Sequence, residues 1–180
     1  MQGNTPANSL KLWIPDGDAG TRETLKHMRQ LARDGKDNLL LRRLANGITA
    51  GAGAKDWESE LEALFNWVRA NVRYSLDPND METIQGPAQT VALGFGDCDD
   101  FCVLLGTLCE LTGHPACFVA LEFGPGGGFS HVVVIASGAG ETEWICLDAT
   151  EANPFGWFPP DATRELICPI SETAAAILTG

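Results

Sequence analysis

The residue best suited to act as a nucleophile is Cys98, which follows a glycine-rich turn and precedes an apolar run. Apolar residues recur at the three-to-four spacing of one helix face from Phe101 to Leu111, and Gly113 is a normal helix stop. Asp97 is a good N-cap, so Cys98 is predicted to lie in the first turn of a helix. Unpaired backbone N–H groups and the positive end of the helix dipole favour a thiolate there.

Two considerations favour a plainer interpretation of Cys98. Most free cysteines are small core residues. The adjacent carboxylates of Asp99 and Asp100 act to raise a thiol pKa, although acids in a first helical turn are also ordinary helix chemistry. A catalytic interpretation therefore requires a base close to the thiol.

A histidine and an aspartate lie on two predicted strands further along the chain. The run 129–136 is rich in β-branched residues, and a second run, 143–148, follows a glycine-containing loop. This arrangement predicts an antiparallel hairpin. With the loop centred between residues 139 and 140, His131 directly opposes Asp148, with Cα atoms about 4.5–5.5 Å apart. A slip of one residue in the register would spoil this pairing.

Cys98, His131 and Asp148 together form a set of nucleophile, base and orienting acid. An imidazole beside a thiol can take its proton, and a carboxylate on the other ring nitrogen fixes the tautomer. Taken alone, the histidine could be a satisfied, half-buried residue and the aspartate a turn residue at a strand end. The other histidines, His27 in an N-terminal helix and His114 in a helix-to-strand turn, have no comparable setting.

Three separated blocks of the sequence resemble the transglutaminase-like superfamily, which shares the papain-like cysteine-protease fold. They are Trp67 to Tyr74, then Gly96-Asp97-Cys98-Asp99-Asp100 with the helix after it, and finally Ser130-His131-Val132 with Leu147-Asp148-Ala149-Thr150. Asp77-Pro78, Glu82, Gln85 and Pro87 are similar to a version found in bacteriophage and prophage proteins. The resemblance runs from about residue 57 to 154 and implies Cys98 as nucleophile, His131 as base and Asp148 as orienting residue.

The predicted elements and the resemblance together indicate an α+β fold of the papain-like, transglutaminase-like type. N-terminal helices precede a central helix that starts at Cys98 and packs on an antiparallel sheet. The first expected function is a cysteine peptidase or amidase that acts on carboxamide or peptide bonds through a thioester. The same triad would serve a protein-glutamine acyl transferase. A third alternative is a non-catalytic phage structural or assembly protein that keeps the fold.

The segment from Tyr74 to Gly96 is predicted to be a long loop, and long ordered loops in compact domains are usually functional. Because it leads into Cys98, we expect it to line the cleft. Gln85 and Gln89 within it are candidates for an oxyanion donor beside the Cys98 N–H, as glutamine is in papain-like enzymes. Each amide could equally bond to its own backbone.

An aromatic, turn-rich segment follows the second strand of the hairpin. It contains Phe155 and Trp157 between prolines. These side chains could line a substrate groove, because aromatics beside prolines give a rigid apolar surface. They could equally fold back over the core.

The remaining elements divide the chain into three parts. Helices are predicted from Thr21 to about Gly35, over about 38–48, and after the cap Asp56. A last strand is expected over 166–170. We therefore predict an N-terminal arm at 1–20, a single domain at 21–170 and a C-terminal tail at 171–180.

The charge and hydropathy of the chain narrow the partners and the location. The chain carries 12 basic and 24 acidic residues, a net charge of −12, so a nucleic-acid partner is not expected. No apolar run approaches the roughly 20 residues that span a membrane, and the N-terminus has no signal pattern. The expectation is a cytoplasmic or phage-associated protein with a protein or peptide substrate, and phage structural proteins as candidate partners.

The six cysteines do not have the spacing of a metal site. They contain no Cys-x-x-Cys pair, and no histidine stands at ligand spacing, so neither a metal nor a cofactor is expected. Five of them fall in apolar elements and are interpreted as reduced core thiols. The five are Cys102, Cys109, Cys117, Cys146 and Cys168.

Overall fold

The computed structural model describes residues 9–11, 17–76, 83–138 and 140–179. The described helices are α1 (Asp18–Gly35), α2 (Leu39–Thr49), α3 (Trp57–Asn71), α4 (Pro87–Leu93), α5 (Cys98–Leu111) and α6 (Glu172–Thr179). The described strands are β1 (Ser9–Lys11), β2 (Arg73–Tyr74), β3 (Thr83–Gln85), β4 (Phe95–Gly96), β5 (Ala116–Phe123), β6 (Phe129–Ser137), β7 (Trp144–Leu147) and β8 (Ala162–Pro169).

The main sheet has four antiparallel strands in the order β7-β6-β5-β8. Successive side chains of a strand point to opposite faces, and the buried residues of β6 follow this rule. Val132 and Val134 join the large core cluster that also contains the residues of α5. Val133, between them, joins a smaller cluster on the other face. The sheet is therefore packed on both faces, with α5 on one of them.

Helix α5 lies between this sheet and the N-terminal helices α1, α2 and α3, each of which packs against it. Eleven of its 14 residues are buried, so other parts of the protein cover most of the helix surface. At Gly106 the helix passes so close to the sheet that a Cβ atom would lie 2.6 Å from Ile170 and 3.0 Å from Phe118. The predicted α+β fold, with its central helix starting at Cys98, is confirmed.

The predicted helix starts agree with the structure where a side chain caps the helix. Asn38 accepts N–H bonds at the start of α2, and Asp56 does so at the start of α3. Helix α1 begins at Asp18 and not at Thr21, and its N-cap, Gly17, has no side chain to signal the start. It therefore begins inside the predicted arm, while the division into three parts stays a prediction.

The predicted long loop from Tyr74 to Gly96 is wrong for most of its described residues. It contains α4 and three short strands, while residues 77–82 lie outside the described part. Strand β2 pairs in parallel with β4, and β3 pairs with β1. These strands have two or three residues each, which is too short for an alternating pattern to be recognised. The last strand of the sheet also starts earlier than predicted, at Ala162.

Candidate active site

Cys98 is the first residue of α5, and the turn around it is closed by a capping box. The Asp97 side chain accepts the N–H groups of Asp99 and Asp100 at 3.0 and 3.2 Å, while the Asp100 side chain accepts the Asp97 N–H at 3.3 Å. Within the described residues, the Cys98 N–H has no protein acceptor. The first backbone N–H of the helix is therefore available to an anion.

The thiol of Cys98 contacts the strand that carries His131. The Val132 N–H, in the peptide bond that follows His131, lies near its sulfur and lowers the pKa of the thiol. One turn later in α5, the Cys102 thiol donates to the carbonyl of the same Val132, with an Sγ–O distance of 3.3 Å. The start of α5 is thus fixed against β6 at the residue next to the predicted base.

His131 and Asp148 form a hydrogen-bonded pair. The distance from His131 Nε2 to Asp148 Oδ2 is 2.9 Å, and the two side chains are 17% and 2% exposed. Asp148 lies just beyond the end of β7, and its Oδ1 accepts bonds from the Thr150 N–H at 3.2 Å and hydroxyl at 2.6 Å. Because Nε2 is occupied by the carboxylate, Nδ1 is the ring nitrogen that can face another group.

The predicted register of the hairpin is wrong by two residues. Val134 pairs with Leu147, whereas the predicted register places it opposite Ile145. The six residues from 138 to 143 separate the strands, and their turn is closed by the Glu141 N–H bonding to the Gly138 carbonyl. An even slip leaves every side chain on its own face of the sheet. His131 and Asp148 are therefore diagonal and not direct neighbours, yet their side chains still meet.

The resting state of Cys98 differs from the predicted thiolate. Burial is the largest effect on the pKa of Cys98 and raises it, and the carboxylates of Asp99 and Asp97 raise it further. The Val132 N–H lowers this pKa but does not outweigh them. The thiol also donates a hydrogen bond to Asp99, with an Sγ–Oδ1 distance of 3.7 Å. The expectation from the helix dipole alone is wrong, because desolvation and two acids exceed it.

The charge of Asp148 is maintained at neutral pH. Burial acts to raise the pKa of Asp148, but the hydrogen bonds from His131 and Thr150 and the charge of His131 together lower it below its usual value. A carboxylate in this state can fix the imidazole tautomer and stabilise an imidazolium when one forms.

Gln85 is already bonded within the structure. Its Nε2 donates to Asp100 Oδ2 at 2.8 Å and to the Phe95 carbonyl at 3.3 Å, so both hydrogens of the amide have acceptors. The structure therefore does not support Gln85 as an oxyanion donor. Gln89 lies half-buried in α4, and no contact of its side chain places it at the site.

The aromatic segment after β7 folds back over the core at Phe155. The Phe155 ring packs edge-on against Phe65 of α3, with 5.9 Å between ring centroids. This contact favours the alternative in which Phe155 folds back over the core, while its part in a groove stays a prediction. Trp157 is half-buried, and its part in a groove stays a prediction.

Tyr74 and Asp100 adjoin the site, although neither was predicted as a functional residue. The Tyr74 ring lies 6.2 Å from that of Phe101 in the first turn of α5. Burial, and then the neighbouring Cys98 and Asp97, raise the pKa of Tyr74, so its phenol stays protonated. Tyr74 lies in a two-residue strand, which is too short for a sequence pattern to indicate that it adjoins the site. For Asp100 the sequence suggests only an effect on the thiol pKa or ordinary helix-start chemistry.

The cysteines are not paired in disulfides. All six cysteines are free; Cys102, Cys109, Cys117 and Cys146 are buried and Cys168 is partly buried. No three ligating side chains among the described residues are grouped so that they could hold a metal ion. None of the described helices has the length and apolar character needed to cross a membrane.

Comparison with known proteins places the chain in a family. The sequence matches the family model described as the transglutaminase-like superfamily over residues 42–161, which is 120 of the 180 residues. None of the curated proteins matches it.

Two solved structures share the fold. A "putative protease" from Parabacteroides distasonis aligns with a TM-score of 0.55 at 15% identity, over 73% of this chain and 27% of that one. A "putative cysteine protease" from Cytophaga hutchinsonii aligns with a TM-score of 0.51 at 22% identity, over 76% of this chain and 44% of that one. The chain therefore spans less than half the length of either protein.

Proposed function

The chain belongs to the transglutaminase-like superfamily, and from this premise we propose that it is a thiol enzyme with the triad Cys98, His131 and Asp148. One observation carries the proposal. The Cys102 thiol, one turn after Cys98, holds the start of α5 beside His131 by bonding to the Val132 carbonyl at 3.3 Å, while His131 bonds to Asp148 at 2.9 Å. This arrangement supports a set of nucleophile, base and orienting acid drawn from separate parts of the sequence.

The proposed reaction opens a carboxamide or peptide bond. His131 accepts the thiol proton at Nδ1 as the Cys98 sulfur attacks the carbonyl carbon. The oxygen of the tetrahedral intermediate takes the negative charge and is bound by the Cys98 N–H. His131 then returns the proton to the leaving amine, the C–N bond breaks, and a thioester remains.

The second half of the reaction restores the enzyme. Water attacks the thioester carbon and gives a proton to His131, the C–S bond breaks, and the thiol of Cys98 regains its proton. Because burial and nearby acids raise the pKa of Cys98, the proton moves during the attack and not beforehand. We favour hydrolysis over transfer to an amine because the two solved structures that share the fold are a "putative protease" and a "putative cysteine protease".

A second candidate is a binding or assembly protein that keeps the fold without the reaction, as in a phage particle. The observation in its favour is the raised pKa of Cys98, because a protonated thiol is a poor nucleophile. The two candidates differ in whether Cys98 can be acylated.

The first experiment is acylation by p-nitrophenyl acetate, followed by release of p-nitrophenolate and by the mass of the protein. We expect an acetyl group on Cys98, no reaction above background in Cys98→Ala, and a rate at least about 100-fold lower in His131→Ala. His27→Ala is the matched control and should behave as the wild type, since His27 lies in α1 away from the site. Equal rates in the wild type and in Cys98→Ala would support the binding protein.

A second measurement separates hydrolysis from transfer. A glutamine peptide is incubated with the protein and a labelled amine. Ammonia or peptide cleavage without incorporated label indicates hydrolysis, and incorporation of the label indicates an acyl transferase.

A further inference from the structure

Asp100 is a fully buried carboxylate two residues after Cys98, and the reaction above gives it no part. Its Oδ1 accepts the backbone N–H of Gln85 at 2.7 Å. Its Oδ2 accepts the Gln85 side-chain amide at 2.8 Å and the Asp97 N–H at 3.3 Å. Burying a carboxylate costs free energy unless hydrogen-bond donors compensate it, and here three N–H donors do so.

These bonds fix the residue that precedes the nucleophile. Asp97 is held through its N–H by Asp100, through its side chain by the N–H groups of Asp99 and Asp100, and through its carbonyl by the Phe101 N–H at 3.1 Å. The Asp97 carbonyl and the Cys98 N–H belong to one planar peptide group. Fixing the carbonyl along the helix therefore fixes the direction of the Cys98 N–H, which points away from the helix.

Gly96 shows how closely this carboxylate is enclosed. A Cβ atom at Gly96 would lie 2.5 Å from Asp100 Cβ and 2.6 Å from its Oδ2. Because Gly96 also pairs with Tyr74 in the β2–β4 ladder, it has little freedom to move aside. The absence of a side chain at residue 96 is thus a condition for the position of Asp100.

We propose that Asp100 is a positioning residue for the oxyanion donor of Cys98. It sets the Asp97–Cys98 peptide plane by joining the cap of α5 to the end of β3 at Gln85. The inference rests on the proposed function, because an oxyanion forms only if Cys98 attacks a carbonyl. Gln85, predicted as the oxyanion donor itself, acts in this arrangement by holding Asp100.

Two reactions of the same thiol separate this role from a general effect on Cys98. Acylation by p-nitrophenyl acetate passes through a tetrahedral oxyanion: the thiol proton goes to His131, the S–C bond forms and p-nitrophenolate leaves. Alkylation by iodoacetamide displaces iodide at a methylene carbon and forms no oxyanion. A displaced N–H donor slows the first reaction and leaves the second unchanged.

The test compares both rates in Asp100→Asn, each corrected for the background of Cys98→Ala. Asparagine has the size of aspartate but one acceptor oxygen, so it cannot accept all three N–H groups. We expect acylation to fall about 10- to 100-fold, as a misplaced catalytic donor does, and alkylation to change by less than about threefold. Equal loss in both reactions, or no loss in either, overturns the positioning role.

A second variant keeps the test decisive if Asp100→Asn does not fold. Gly96→Ala retains the Asp100 charge and displaces the carboxylate through the Cβ contact, so it should lower acylation selectively as well. Gly47→Ala in α2 is its control, because a Cβ atom there meets no neighbour within 4 Å. If the wild type itself is not acylated above the Cys98→Ala background, the proposed function fails; if only the variants behave otherwise than expected, this inference alone fails.

Discussion

The molecule contains two histidine–carboxylate pairs that look alike in chemistry and differ in surroundings. His131 bonds to Asp148 at 2.9 Å beside the thiol of Cys98. His114 bonds to Glu60 at 2.7 Å, is fully buried, and packs edge-on against Trp57 with 6.0 Å between ring centroids. The distance between imidazole and carboxylate therefore does not identify a catalytic pair.

The surroundings of each imidazole distinguish the two pairs. Nδ1 of His114 is buried and has no hydrogen-bond partner among the described residues. His131 is 17% exposed, and the peptide N–H that follows it lies near the Cys98 sulfur. We infer that solvent access and a neighbouring thiol distinguish the pair proposed for chemistry from a pair that joins a helix to a turn.

Replacing the carboxylate of each pair by the matching amide should give the largest difference between the pairs in the rate of Cys98 acylation. Asp148→Asn should lower the rate of Cys98 acylation about 100- to 10,000-fold, because the amide no longer fixes the tautomer of His131 or stabilises an imidazolium. Glu60→Gln makes the same chemical change in the other pair and should alter this rate less than about threefold. Comparable losses in the two variants would mean that the comparison between the pairs is wrong.

The Asp148→Asn variant should also change how the free energy of unfolding depends on pH in acid. The folded-state pKa of Asp148 is lowered from its ordinary 3.8, so the pair stabilises the fold above that pH, and this contribution is lost as the pH falls through the folded pKa. Asp148→Asn should remove that part of the acid dependence in the free energy of unfolding, measured by denaturant titration at several pH values.

Removing each imidazole should affect stability in the opposite order, with a larger loss for His114 than for His131. His114→Ala empties a fully buried site and leaves Glu60 without its partner, so we expect the free energy of unfolding to fall by about 2–4 kcal/mol. His131→Ala removes a partly exposed ring and should cost about 1 kcal/mol. Urea denaturation measures both, and acylation per folded molecule should be unchanged in His114→Ala. A larger destabilisation in His131→Ala than in His114→Ala would contradict the assignment.

The smallest effect is expected from Asp99, which bonds to the thiol proton. Asp99→Asn removes a negative charge that raises the pKa of Cys98, so iodoacetamide should react a few-fold faster at neutral pH.

In the wild type, the alkylation rate should still rise above pH 8.5, about the pKa of a free thiol, because burial raises the pKa of Cys98. A plateau below that pH would show that the thiolate is already formed.

Local signals in the sequence predicted the parts of the site that local interactions determine. The cap at Asp97 and the start of α5 at Cys98 depend on neighbouring residues, and both are found in the structure. The contact between His131 and Asp148 survived an error in the register because the slip was even. A slip of one residue would have separated them on opposite faces.

Long-range burial determined the parts that could not be predicted. The helix dipole suggested a thiolate at Cys98, but how deeply α5 is buried depends on the whole packing and reverses that expectation. The partner of Gln85 is 15 residues further along the chain, at Asp100, and no periodicity connects them. Strands β2 and β4 form only as a pair, so neither has a pattern of its own. Pro87 at the start of α4 and Gly94 at its end were available signals of that helix.

The contact at Val132 has a consequence for mutational tolerance. Its two polar contacts with α5 use backbone atoms: its N–H lies near the Cys98 sulfur, and its carbonyl accepts a hydrogen bond from the Cys102 thiol. Every amino acid but proline supplies these two groups. Val132 can therefore be replaced by other apolar residues of similar size without altering the geometry. Proline is the one replacement that removes the N–H outright. Natural variation should therefore be permissive at residue 132, with proline excluded, and severely restricted at His131, one codon away.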